Sequence, residues 1–101
     1  MQLYANQNDP EQVENTNKFR AFMDRNPSVS FYKPSPDKAP WHVQARFEAD
    51  DGAPIVVNFW PHKAKSQRDG CHALEGWDAA QSVLDEAVAD SLAEPFDVIE
   101  G

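Results

Sequence analysis

From Trp41 to Ala49 the chain alternates without a break: Trp41, Val43, Ala45, Phe47 and Ala49 are apolar, and His42, Gln44, Arg46 and Glu48 between them are polar. A period of two puts the apolar side chains on one side of an extended backbone, so the segment reads as a strand with one buried and one wetted face. Asp50-Asp51-Gly52 is a turn signal, and Pro54 to Trp60 reads as a second strand. A two-residue turn at Asp51-Gly52 would set Phe47 against Val56 and mix the two faces. A three-residue loop with Gly52 left-handed sets Phe47 against Ile55, Ala45 against Val57 and Val43 against Phe59, and this is the register the pattern predicts. The opposite face then pairs His42 with Trp60, Gln44 with Asn58 and Arg46 with Val56.

The flanking segments change period. Asp9-Pro10-Glu11-Gln12 is a helix start, with Asp9 as cap, Pro10 at the first helical position and Gln12 placed to close a capping box. Val13, Phe19, Phe22 and Met23 recur at helical spacing up to about Arg25, and Asn26-Pro27 stops the run. Ser28 to Lys33 alternates Val29 and Phe31 with Ser30 and Tyr32, which predicts a first strand. A second helix is expected from about Trp77 to Ala93, with Trp77, Ala80, Leu84, Ala87 and Val88 as its buried arc. Pro95 ends it, and Phe96, Val98 and Ile99 are placed to cover the sheet or to add an edge strand. The expected architecture is a single α+β domain over residues 1–101, helix, three antiparallel strands, helix, with a core at about 10–93 and a tail at 94–101.

Charge divides the chain. Residues 1–68 hold nine Lys/Arg and eight Asp/Glu, whereas residues 69–101 hold nine Asp/Glu and no Lys or Arg, so the last third carries the whole excess behind the net charge of −8. Asp78, Asp85, Glu86 and Asp90 lie on the second helix away from its apolar arc, and Glu94 follows them. Asp90 and Glu94 near the helix end oppose its dipole, a local penalty that hints at a use for the charge. The one basic stretch, Trp60 to Gly70, places His62, Lys63, Lys65 and Arg68 directly before this acidic block, where they balance it.

The order of elements resembles the double-stranded-RNA-binding domain, and the strand ending Asn58-Phe59-Trp60-Pro61, followed by basic residues and a Gly-containing loop into a helix, resembles small α-β-β-β-α proteins of phages and mobile elements. The resemblance covers roughly residues 10–93. The RNA-binding family carries a lysine cluster at the start of its last helix; here that position reads Glu75-Gly76-Trp77-Asp78, and acids would repel the phosphates that lysines attract.

Candidate chemistry is sparse. His42, His62, Cys71 and His72 lack paired-ligand spacing, there is no Gly-rich phosphate loop, and no nucleophile motif appears, so neither an enzyme nor a metal or cofactor site is expected. No apolar run reaches membrane-spanning length and the polar start does not resemble a signal peptide, which with a single cysteine suggests a cytoplasmic protein. Two binding classes follow. In the first, the acidic residues Asp78, Asp85, Glu86, Asp90 and Glu94 meet a partner protein's basic surface, as phage inhibitors of host defence of the anti-CRISPR type do. In the second, Tyr32, His42, Arg46 and Trp60 with Lys63, Lys65 and Arg68 form a local nucleic-acid site on the sheet. A structural or assembly subunit is a third.

Overall fold

Helix α1, Pro10–Asp24, starts as its sequence suggests: Asp9 is extended, and its Oδ1 accepts from the N–H groups of Glu11 at 3.1 Å and Gln12 at 3.4 Å. Gln12 does not close the box on Asp9. The Asp9 N–H already donates to the Asn6 carbonyl at 2.9 Å, and Gln12 Oε1 accepts instead from the Asn6 N–H at 2.9 Å. At the other end Asn26 Nδ2 donates to the Phe22 carbonyl at 2.8 Å, satisfying one of the terminal acceptors that a helix leaves open. The protein is described here from a computed structural model covering residues 1–91. The expected tail, and Glu94 with it, lies outside the described residues.

The strands are β1 Phe31–Tyr32, β2 Val43–Glu48, β3 Pro54–Trp60, β4 Lys65–Arg68 and β5 Leu74–Glu75, antiparallel and in that spatial order. The β2–β3 hairpin has the predicted register, Val43 against Phe59, Ala45 against Val57 and Phe47 against Ile55, with Gly52 at φ +84°. A side chain in that left-handed region would clash with its own backbone, which is why glycine closes the loop. The first strand is shorter than Ser28–Lys33, and Trp41, expected among the buried residues, precedes β2 and is 39% exposed.

The expected three-stranded sheet is a five-stranded one, because Lys65–Arg68 within the basic stretch forms β4 and Leu74–Glu75 beyond it forms β5. After Trp60 the chain makes a single 3-10 turn at Pro61–Lys63, and Ala64 takes φ 54°, which reverses direction and brings Lys65 opposite Trp60. A left-handed alanine costs roughly 1 kcal/mol. The Ala64 carbonyl accepts from the Gly76 N–H at 2.7 Å, tying this corner to the start of α2. All four residues of β4 are polar, so no alternation reveals it; backbone pairing to β3 and β5 makes it a strand.

Helix α2, Trp77–Ser91, buries Ala80, Val83, Leu84 and Ala87. Val83 replaces Val88 in the expected arc: Val88 is only half-buried, one step round toward solvent. Phe19 and Phe22 of α1, Phe31 of β1, Phe59 of β3 and Trp77 of α2 form a cluster whose neighbouring ring centroids lie 5.2 to 6.1 Å apart. The buried apolar residues of both helices belong to this one core with Val43, Ala45, Ile55, Val57 and Phe59. Both helices therefore cover the same face of the sheet, and the other face has no helix over it among the described residues. No helix among them is long and apolar enough to cross a membrane.

Candidate functional site

The face that no described helix covers carries a hydrogen-bonded row across the strands. Tyr32 Oη donates to Gln44 Oε1 at 2.7 Å, Gln44 Nε2 donates to Asn58 Oδ1 at 2.8 Å, and Asn58 Nδ2 donates to Asp69 Oδ1 at 3.0 Å and to the Gln67 carbonyl at 3.5 Å. His42 Nε2 reaches the same Asn58 oxygen at 2.8 Å. The direction of the row follows from its end: a carboxylate only accepts, so Asn58 turns its amide nitrogen to Asp69 and its oxygen to Gln44 and His42. An oxygen that must accept places a His42 proton on Nε2. Asn58 uses all four of its hydrogen-bonding positions and is 6% exposed.

Beside this row His42 stacks on Trp60, with centroids 5.3 Å apart and planes 10° from parallel. Across β4, Lys65 stands opposite Trp60, and Trp60, Lys63, Lys65 and Ala73 line a groove. Arg46 is exposed further along the same face. Tyr32, His42, Arg46, Trp60 and Lys65 thus share one face as expected, with Lys63 at its rim. Arg68 does not join them. The Trp60–Lys65 pairing sets the parity of β4, so Arg68 falls opposite the core residue Val57 on the helix side, where its Nη1 pairs with Asp90 of α2 at 2.7 Å.

That ion pair also alters the acidic face. Asp78, Asp85 and Glu86 are exposed and make no ion pair among the described residues, and Asp85 accepts a hydrogen bond from Gln81 Nε2 at 3.0 Å. Asp90 is held by Arg68 yet keeps half of its side chain in solvent. The expectation that the basic stretch balances the acidic helix is met at this one contact.

His62 is buried behind the turn. Its carbonyl accepts from Asn15 Nδ2 at 3.1 Å, its ring meets Tyr4 edge-on at 5.4 Å, and its Nδ1 has no partner among the described residues. Burial pushes its pKa below the usual value, and the Lys63 ammonium adds to the shift. Cys71 is exposed, and no three His, Cys, Asp or Glu side chains gather as a metal centre among the described residues.

No protein family, curated protein or solved structure matches this chain. Sequence reasoning identified the aromatic and cationic members of the sheet face and the Gln44–Asn58 pairing. It missed Asp69, which lies past the end of β4 and carries no pattern of its own.

Proposed function

We propose that this domain is a non-catalytic protein-binding module that sets the acidic face of α2 against a basic surface of a partner, of the kind that otherwise grips nucleic acid, and so blocks it. One observation carries the reading: Asp78, Asp85 and Glu86 stand exposed on one helix and make no ion pair among the described residues, while Arg68 is engaged by Asp90. A field of one sign on a small domain accelerates encounter with a surface of the opposite sign and mimics the charge of a nucleic-acid backbone. A phage inhibitor of host defence is the biological setting that suits such a surface, and a cytoplasmic location suits that setting.

The test is a capture experiment with the full chain and a triple variant, Asp78→Lys, Asp85→Lys and Glu86→Lys. Asp90 is left alone, because a lysine there would face Arg68. The unmodified protein should retain a basic partner that raised salt releases, and the variant should retain none, since like charges at an interface cost several kcal/mol. Equal retention by a folded variant would make the acidic face solvated surface only.

A further inference from the structure

We propose a second site, on the opposite side of the molecule, in which the groove beside Trp60 takes a mononucleotide: a planar base against the indole and one phosphate between Lys63 and Lys65. The groove is about 230 Å³ and is lined by Trp60, Lys63, Lys65 and Ala73. Trp60 sits between two neighbouring strands. On the β2 side its ring is stacked by His42, whose orientation is locked by Asn58, and on the β4 side stands Lys65. The indole is therefore held in place before any ligand arrives, with the groove along its β4 flank, and Ala73 adds a small apolar wall. Ring stacking of this kind tolerates any base, since every base has a π-face.

The cations point to the phosphate. Lys18 and Arg68 each have a carboxylate within ion-pair distance, but Lys63 and Lys65 have none among the described residues. Both lysines also line a neighbouring groove with Asp9, Glu11 and Glu75, none of which comes within ion-pair distance of them. The surroundings limit the ligand to one phosphate. Glu75 lies across from Lys65 in the β4–β5 pair, Asp69 ends the polar row, and Arg68 faces the helices, so a second or third phosphate of a strand would meet carboxylates where it needs cations. The net charge of −8 acts in the same sense at longer range.

The experiment is a titration of the full chain with adenosine monophosphate, followed through the indole N–H signals of the three tryptophans in a proton–nitrogen correlation spectrum. Trp60→Phe assigns its signal by loss. Millimolar nucleotide should shift the Trp60 indole and the amides of Lys65 and Ser66 saturably, leaving Trp77 unmoved. Adenosine alone and inorganic phosphate alone should each produce a weaker response. Lys63→Ala with Lys65→Ala should raise the Kd about tenfold or more, in line with losing charge-assisted contacts. Glu75→Gln should lower it, by removing the carboxylate opposite Lys65. An unmoved Trp60 signal at millimolar nucleotide would overturn the proposal. An equal response to phosphate alone would overturn the stacking, and binding that tightens with oligonucleotide length would overturn the single-phosphate limit. The lysine and glutamate variants are at the surface and test the site even if Trp60 variants fold poorly.

Discussion

The two faces of the β2–β3 hairpin are built from alternate residues of the same strands, yet they hold together by different physics. On the helix side Val43, Ala45, Val57 and Phe59 are fully or almost fully buried against aromatic rings, in contacts that depend on area and hardly on direction. On the open side Gln44, Asn58 and His42 meet through hydrogen bonds, each with one donor and one acceptor in a required orientation. Burial of the first face decides the register, and a one-residue slip would exchange the faces. The second face then inherits that register and uses it to aim side chains. A surface intended only to be wetted has no need of such a row, whereas a surface that must hold an indole and an imidazole in place does.

The largest effect should come from the helix side. Phe59→Ala removes a fully buried ring at the centre of the cluster and should destabilise the domain by about 3–5 kcal/mol in a urea titration. Phe47→Ala, half-buried near the hairpin's loop, should cost clearly less. Equal losses would mean that the core extends to the hairpin tip.

On the open side Asn58→Ala should cost roughly 1–3 kcal/mol, because it leaves the Gln44 amide and the His42 N–H without their acceptor in a poorly hydrated place. The near-ultraviolet signal of Trp60 should weaken with it as His42 loses its anchor. A loss below about 0.5 kcal/mol with an unchanged signal would show that water replaces the row freely. Asn58→Asp sharpens the comparison. It sets a second carboxylate about 3 Å from Asp69, and one of the two then holds its proton to higher pH, so this variant should regain stability on mild acidification while Asn58→Ala does not.

The contrast also explains what could be read from the chain. The hairpin, its loop and its buried face were legible because Trp41 to Ala49 alternates strictly and Gly52 marks the turn. The first strand and the buried arc of α2 were legible in kind but not in extent, since pairing partners decide where β1 and β2 begin and neighbouring strands decide that Val83, not Val88, is covered. Strand β4 was illegible: Lys65-Ser66-Gln67-Arg68 shows no apolar rhythm, and only its reversal at Ala64 makes it pair with β3. Missing β4 also misplaced Arg68, because parity counted along a loop says nothing about which side of a sheet a residue takes. Of the open face, the ring and charge members were visible as types, but the Asn58–Asp69 contact that orients the row joins two elements whose proximity depends on β4.

Ser66 is the exception on the helix side. It is fully buried opposite Phe59, and its hydroxyl has no partner among the described residues. Ser66→Ala should therefore be neutral or stabilising by up to about 1 kcal/mol, the reverse of Asn58→Ala, because it removes an unsatisfied polar atom. A loss of stability would reveal a partner for the hydroxyl. His62 should make its mark only in acid. Its pKa is lowered in the folded state, chiefly by burial, so the unfolded chain takes up the proton first as pH falls below about 6.5. Stability should decline through the window between that value and the lower folded one and then level off. His62→Gln should remove this component of the slope, and an unchanged slope would show that the imidazole is solvated.

The smallest effect should belong to Arg68 and Asp90, the one ion pair that joins β4 to α2. Asp90 is 54% exposed and Arg68 26%, so water screens most of the attraction at 2.7 Å. A double-mutant cycle with Arg68→Met and Asp90→Asn should give a coupling of about 0.2–1 kcal/mol, shrinking as salt rises. Each single change includes a contribution besides the coupling. Arg68→Met keeps an apolar stem opposite Val57 but removes the cation paired with Asp90, so Asp90 is left in the last turn of α2 against an unfavourable helix dipole. Asp90→Asn relieves that same dipole while it breaks the pair, and its net effect should be close to zero. The asymmetry between the two singles is the informative quantity. If Arg68→Met costs clearly more than Asp90→Asn, the arginine acts on the whole acidic face of α2 and holds it against the sheet. If the two cost the same, the pair is local, and the acids of α2 are kept for reasons that lie outside the fold.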